Sequence, residues 1–168
     1  MARRKDQAAA RDAIVTATLV AIRDRGLAAL RIADIAAIAD VSTGTIHYYF
    51  TDFETLLKEV HRLASDRFYA ARLHEVSSLA DARDRLRVMI SAGLPRSGDD
   101  ALVSALYQLD SHLGLRDDHA ILVTALFDKQ VALYMGILDV GVAQGHFTLT
   151  EPSVDIAANL VTLEDGYG

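Results

Sequence analysis

The chain has 168 residues, 51% of them hydrophobic, which is enough to bury a real core and too apolar for a disordered segment. It has no cysteine, which excludes disulfides and thiolate metal sites and fits a reducing cytoplasm. The net charge of −6 is unevenly spread: residues 1–50 hold seven Lys/Arg against five Asp/Glu (net +2), and residues 51–168 hold ten against eighteen (net −8), so a mildly basic segment sits on an acidic body.

From the N-terminus, residues 5–25 read as a long helix with Ile14, Ala17, Ala21 and Ile22 on its core stripe and Gly26 as its stop. The start is basic, but the apolar positions that follow are interrupted by Arg11 and Asp12, so it is not a signal peptide. Next comes RIADIAAIADVSTGTIHYYFTDFETLL, Arg31 to Leu57. Ile32, Ile35 and Ala36 share one helical face, Val41 follows a short polar break, and Ile46, Tyr49 and Phe50 make a second apolar stripe. Two short helices crossing at a tight turn satisfy this pattern. Asp40 stands where the turn needs a left-handed residue, which Asp tolerates better than most. Ser42 is a good N-cap for the second helix, whose first turn offers Thr43, Gly44 and Thr45 outward. This is the layout of a helix-turn-helix reader of DNA.

At these residues the chain resembles the tetracycline-repressor (TetR) family of bacterial regulators, whose motif runs, in outline, I-A-x-x-A-G-V-S-x-G-T-L-Y-x-Y-F-x-x-K-x-x-L. Ile35, Ala36, Ala39, Val41, Ser42, Gly44, Thr45, Tyr49, Phe50 and Leu56 match it. Three departures matter: Asp40 replaces the turn glycine, His47 a tyrosine and Phe53 a lysine that reaches a phosphate. The resemblance implies an all-α fold, with an N-terminal three-helix helix-turn-helix domain (residues 1–54) joined to a C-terminal helical bundle (55–168) for ligand binding and dimerisation. It implies DNA contacts from Arg31, Thr43, Gly44, Thr45, His47, Tyr48 and Tyr49, with Arg31 reaching a phosphate oxygen. Arg3, Arg4 and Lys5 are either an arm along the minor groove or a frayed terminus.

Thr51 to Glu54 spell a T-x-x-E capping box, so a fourth helix should begin at about Asp52 and run to about Val76 through Leu56, Leu57, Val60, Leu63, Ala64 and Phe68. Leu79 to Ala92 forms another amphipathic helix, and Gly93 to Asp100 is the clearest loop. Helices over Ala101–Leu115 and Asp117 to about Val142 follow, the latter stopped by Gly145. Pro152 is placed as a first-turn proline for a last helix with Ile156, Leu160 and Leu163 on its stripe. No run alternates with period two for long enough to make a strand. No apolar run approaches the roughly 20 residues that span a membrane, so a soluble, cytoplasmic protein with no membrane partner is expected. In the resembled family a D-G pair near Asp165 and Gly166 is followed by one more helix that completes a dimer interface; the chain stops at Gly168.

No catalytic spacing is present: there is no H-E-x-x-H, no G-x-S-x-G and no P-loop. Neither a metal, a cofactor nor an enzyme activity is expected, and the histidines other than His47 on the reader helix read as surface or satisfied core groups. An effector pocket in the bundle should be apolar with a few orienting polar groups. Phe68, Met89, Tyr107, Asp110, Phe127 and Tyr134 are the candidates, and Asp110 among Tyr107 and Tyr134 suits a cationic effector. The expectation is a homodimeric repressor that binds a palindromic operator in double-stranded DNA and leaves it when a small-molecule effector binds. The alternatives are an all-α carrier or enzyme with a vestigial reader, and a DNA-binding activator without an effector.

Overall fold

A computed structural model describes the backbone of residues 2–94, 101–113 and 117–167 and the side chains of residues 7–94, 102–112 and 119–167. The described residues form eight α-helices and no strand: α1 (Ala2–Arg25), α2 (Ile32–Ala39), α3 (Thr43–Tyr49), α4 (Phe53–Ser77), α5 (Ala82–Gly93), α6 (Ala101–Leu113), α7 (Asp117–Ala143) and α8 (Ser153–Tyr167). The all-α expectation is met. The side chains of the Arg3–Lys5 arm, residues 95–100 of the expected loop, and Leu115 lie outside the described residues.

The chain divides into two compact units that do not follow the expected boundary at residue 54. One comprises Met1–Ser65 with Ala101–His119, the other Asp66–Asp100 with Ala120–Gly168. In the first unit α1 packs against α2 and α6, and α2 against α3. Its core is Ile14, Ala21, Ile22, Ile35, Ile46, Phe50, Leu56 and Leu57, all at 1% exposure or less. Gly26, at φ 73°, ends α1 as expected, its N–H donating to the Ile22 carbonyl. An unforeseen 3-10 turn, Leu27–Ala29, follows, and the Gln108 side chain of α6 accepts from the Leu27 N–H at 2.8 Å. α6 thus satisfies a loop donor of the reader region, which ties residues far apart in sequence into one unit.

In the second unit Val76, Met89, Val131, Tyr134, Ile137, Leu138, Ala157 and Val161 form the core. Three local expectations are corrected here and at the start of α4. The cap of α4 is Asp52, whose Oδ1 accepts from Thr55 N–H at 2.7 Å, not Thr51; a carboxylate placed one residue later meets the same orphan donors. α5 begins at Ala82 and not at Leu79, because Asp81 caps it; the Arg83 side chain and N–H hold the Asp81 carboxyl well below the usual range. α8 buries Ala157, Val161 and Glu164, while Leu163 of the expected stripe is 58% exposed. Its inward face is therefore offset from the expected one, and carries a carboxylate that an apolar-periodicity reading passes over. Pro152 sits just before α8, its carbonyl accepting from Asp155 and Ile156.

α7 also departs from expectation, since His119–Ala143 is long and apolar enough, by length and composition, to cross a membrane. Yet Val131, Tyr134, Ile137 and Leu138 of that helix are buried in the second core. Gly93, at the end of α5, is where the chain needs a glycine: an added Cβ would collide with the Glu164 carboxylate.

Candidate nucleic-acid interface

The turn between α2 and α3 is set by two side chains. Asp40 adopts φ 53°, ψ 47°, the left-handed conformation read from the sequence, and Val41 N–H returns to the Ala36 carbonyl at 3.0 Å. Ser42 then caps α3, its Oγ accepting from Thr45 N–H at 3.1 Å. With Ile46 and Phe50 each 1% exposed, α3 is pinned by one face and must present the other. On that other face Thr43, Gly44 and His47 are exposed, and Tyr48 is 71% exposed. These hydroxyl, imidazole and phenol groups can exchange hydrogen bonds with base edges and phosphates.

The remaining expected contacts are placed differently. Thr45 is half-buried, with its hydroxyl 2.9 Å from Ser42 Oγ, so part of its hydrogen-bonding capacity belongs to the cap. Tyr49 is half-buried and packs edge-on against Tyr48, ring centroids 5.1 Å apart. Arg31 is exposed at the N-cap of α2. A guanidinium has no acceptor with which to cap; the Asp34 carboxylate instead reaches back to the Arg31 N–H at 3.1 Å. Arg25 pairs with the same carboxylate at 3.0 Å.

The six candidate effector residues do not fall in one place. Tyr107 and Asp110 belong to the first unit; Phe68, Met89, Phe127 and Tyr134 belong to the second. Tyr107 lines an open recess of about 430 Å³ with Leu27, Ala28, Gln108, Ser111 and His112. The Asp110 carboxylate is engaged by two buried histidines, with Oδ1 2.9 Å from His61 Nε2 and 3.2 Å from His119 Nε2. In the second unit the buried Arg72 lies over the rings of Phe68 and Tyr134, 5.2 and 5.6 Å from their centroids. It donates to the Met89 carbonyl, to Gln130 and to Glu164. Tyr134 donates to Glu164. Phe127 packs against the second core.

Sequence reading passed over His61, His119, Arg72, Gln130 and Glu164. The polar contacts they make span 9 to 92 residues and carry no motif, and only the tertiary fold brings them together. A charged residue on an otherwise apolar helical face, as Arg72 and Glu164 are, was the available signal.

The family model for bacterial regulatory proteins of the tetR family matches residues 14–60. The HTH-type transcriptional repressor KstR2 of Rhodococcus jostii (strain RHA1) is 26% identical over 133 residues, covering 79% of this chain and 64% of that protein. The HTH-type transcriptional regulator BetI of Burkholderia lata is 34% identical over 93 residues, covering 55% of this chain and 46% of that one. The chain thus spans less than two thirds of the length of either relative. Among solved structures, a transcriptional regulator from Saccharomonospora viridis in complex with choline matches with a TM-score of 0.81 at 26% identity, covering 95% of this chain and 83% of that one. With a helix-turn-helix segment that matches the family model over residues 14–60 and a fold that matches along nearly all of its length, the chain is similar to the TetR family of bacterial regulatory proteins.

Proposed function

We propose that the chain is a ligand-responsive transcriptional regulator, a repressor that binds a palindromic operator as a homodimer and leaves it when a small molecule binds. It is not an enzyme on this reading, and it works in the cytoplasm. The observation that carries the proposal is α3: its buried Ile46/Phe50 face fixes it, and its exposed Thr43, Gly44, His47 and Tyr48 face is free to enter a major groove. Arg31 adds a phosphate contact, and Thr45 and Tyr49 contribute their accessible edges.

Residues 1–54 serve as the DNA-binding domain, and 55–168 as the effector and dimerisation region. α4 runs directly from the reader helices into the second compact unit, and an effector alters the reader through it. The effector need only bind the DNA-competent arrangement less well than the other. The relatives' names and the choline complex of the Saccharomonospora viridis protein support a ligand-responsive regulator. Ile121, Val123 and Val142 of α7 and Val154, Leu163 and Tyr167 of α8 are exposed apolar groups that a second copy would cover.

A gel shift with the DNA flanking the chain's own gene tests the reading, together with light scattering of the free protein. A specific shift by a dimer is expected. No shift at low salt would favour the carrier or enzyme with a vestigial reader, and a specific shift that activates transcription in a reconstituted assay would favour the activator.

A further inference from the structure

We propose that His61, Asp110 and His119 form a binding site for a first-row divalent transition-metal ion, with zinc as the reference ion. All three belong to the first compact unit, on α4, α6 and the first turn of α7. Their ligand atoms lie within 4.8 Å of one another. Four donors held about 2.0–2.1 Å from a tetrahedral zinc ion are about 3.3 Å apart. The two imidazole–carboxylate separations, 2.9 and 3.2 Å, already approach that spacing. The imidazoles meet edge-on, with centroids 4.7 Å apart and planes at 73°, so both Nε2 atoms face the carboxylate without the rings stacking flat.

The environment suits a metal better than a plain ion pair. Both histidines are 1% exposed, held inside the unit on two different helices. The Asp110 side chain is 41% exposed, which gives the ion an entry path and leaves room for water as a fourth ligand. Two imidazoles and one carboxylate select a borderline cation over the hard magnesium and calcium ions, which prefer all-oxygen shells. Ser65, one turn beyond His61 on α4, has a buried hydroxyl with no hydrogen-bond partner among the described residues. His61 Nδ1 also finds no partner among them, so the outer support that most metal-ligating histidines enjoy is missing at His61 and the affinity should be modest.

The inference stands on these side chains and not on DNA binding. It extends the function proposed above only in that His61 sits on α4, which starts directly after the reader helix. The test therefore omits DNA. The 168-residue chain is stripped with a chelator, and zinc is titrated in against a chromophoric competitor, with cobalt(II) as a spectroscopic probe and magnesium as a control. One zinc per chain, cobalt absorption of a low-coordinate N/O site, and no magnesium binding are expected. Asp110→Ala and His61→Ala should each weaken zinc binding by on the order of 100-fold. If His61→Ala fails to fold, the part-exposed Asp110→Ala, checked for native helicity, decides alone. Zinc binding that is unchanged in folded Asp110→Ala belongs to the exposed histidines and overturns the proposal. So would an absence of stoichiometric zinc binding, including the case in which an organic ammonium such as choline binds through Asp110 instead.

Discussion

Arg72 and Glu164 are separated by 92 residues and meet as a buried ion pair, with Nη2 of the guanidinium 2.9 Å from one carboxylate oxygen and 3.0 Å from the other. Arg72 is 2% and Glu164 7% exposed on the side chain. The pair joins the end of α4 to α8, while the Met89 carbonyl and Gln130 attach the same guanidinium to α5 and α7. Removing one partner leaves an uncompensated buried charge. Arg72→Met should lower stability by about 3–5 kcal/mol, whereas Arg72→Met combined with Glu164→Leu should return close to wild type. Urea denaturation of wild type, Arg72→Met and the double variant reads this; a double variant no more stable than Arg72→Met would show that the two groups do not act as a pair.

The same carboxyl makes stability depend on pH with a definite sign. Burial pushes the Glu164 carboxyl upward, and the Arg72 charge and Tyr134 hydroxyl oppose it only in part. The folded chain holds this proton at pH values where the unfolded chain has released it. The stability that Glu164 contributes is therefore complete below the ordinary carboxylate range, and is lost as pH rises through the folded value. Melting temperatures taken at steps from about pH 4 to 7 should fall less steeply for Glu164→Gln than for wild type. A parallel pair of curves would mean that the carboxyl titrates normally.

For the reader, α3 separates contact from core. Tyr48→Ala removes a ring that is 71% exposed and should weaken operator binding while leaving the melting temperature within a degree or two of wild type. Ile46→Ala truncates a residue at 1% exposure and should cost about 2–5 kcal/mol. Should Tyr48→Ala unfold the protein as readily as Ile46→Ala, the assignment of faces on α3 would be wrong.

The turn offers a simpler test. Asp40 pays a conformational penalty at φ 53° that glycine avoids. Asp40→Gly should be neutral or stabilising by up to about 1 kcal/mol, and Asp40→Val destabilising by about 1–2 kcal/mol, in thermal melts.

Phe53 opens α4 and is half-buried, at the position where the family motif carries lysine. Phe53→Lys should strengthen binding about equally on all DNA sequences and steepen the slope of log affinity against log salt by about 0.9 per added phosphate contact, or about 1.8 for a dimer. Affinity across a salt series, with a melting curve for each protein, checks this. An unchanged slope in an intact fold would place Phe53 away from the phosphate backbone.

Local physics made the reader legible in the sequence: Ser42 as cap, Asp40 as left-handed turn residue and Gly26 as stop act on neighbours within four residues, and the Ile46/Phe50 stripe has only one way to face a core. The eight described helices could be read for the same reason, with ends shifted by a residue or two at α4 and by three at α5, where Asp52 and Asp81 took the caps. The tertiary structure alone decided which distant polar groups meet. Arg72 with Glu164, and His61 with Asp110 and His119, lie on different helices whose relative rotation no single-helix pattern encodes. It also decided that α6 packs with the reader helices through Gln108 and that α8 turns Glu164 inward while Leu163 faces out. Periodicity reports which face of a helix is apolar; it does not report a buried charge whose partner arrives from another helix, because that burial is favourable only once the partner is in place.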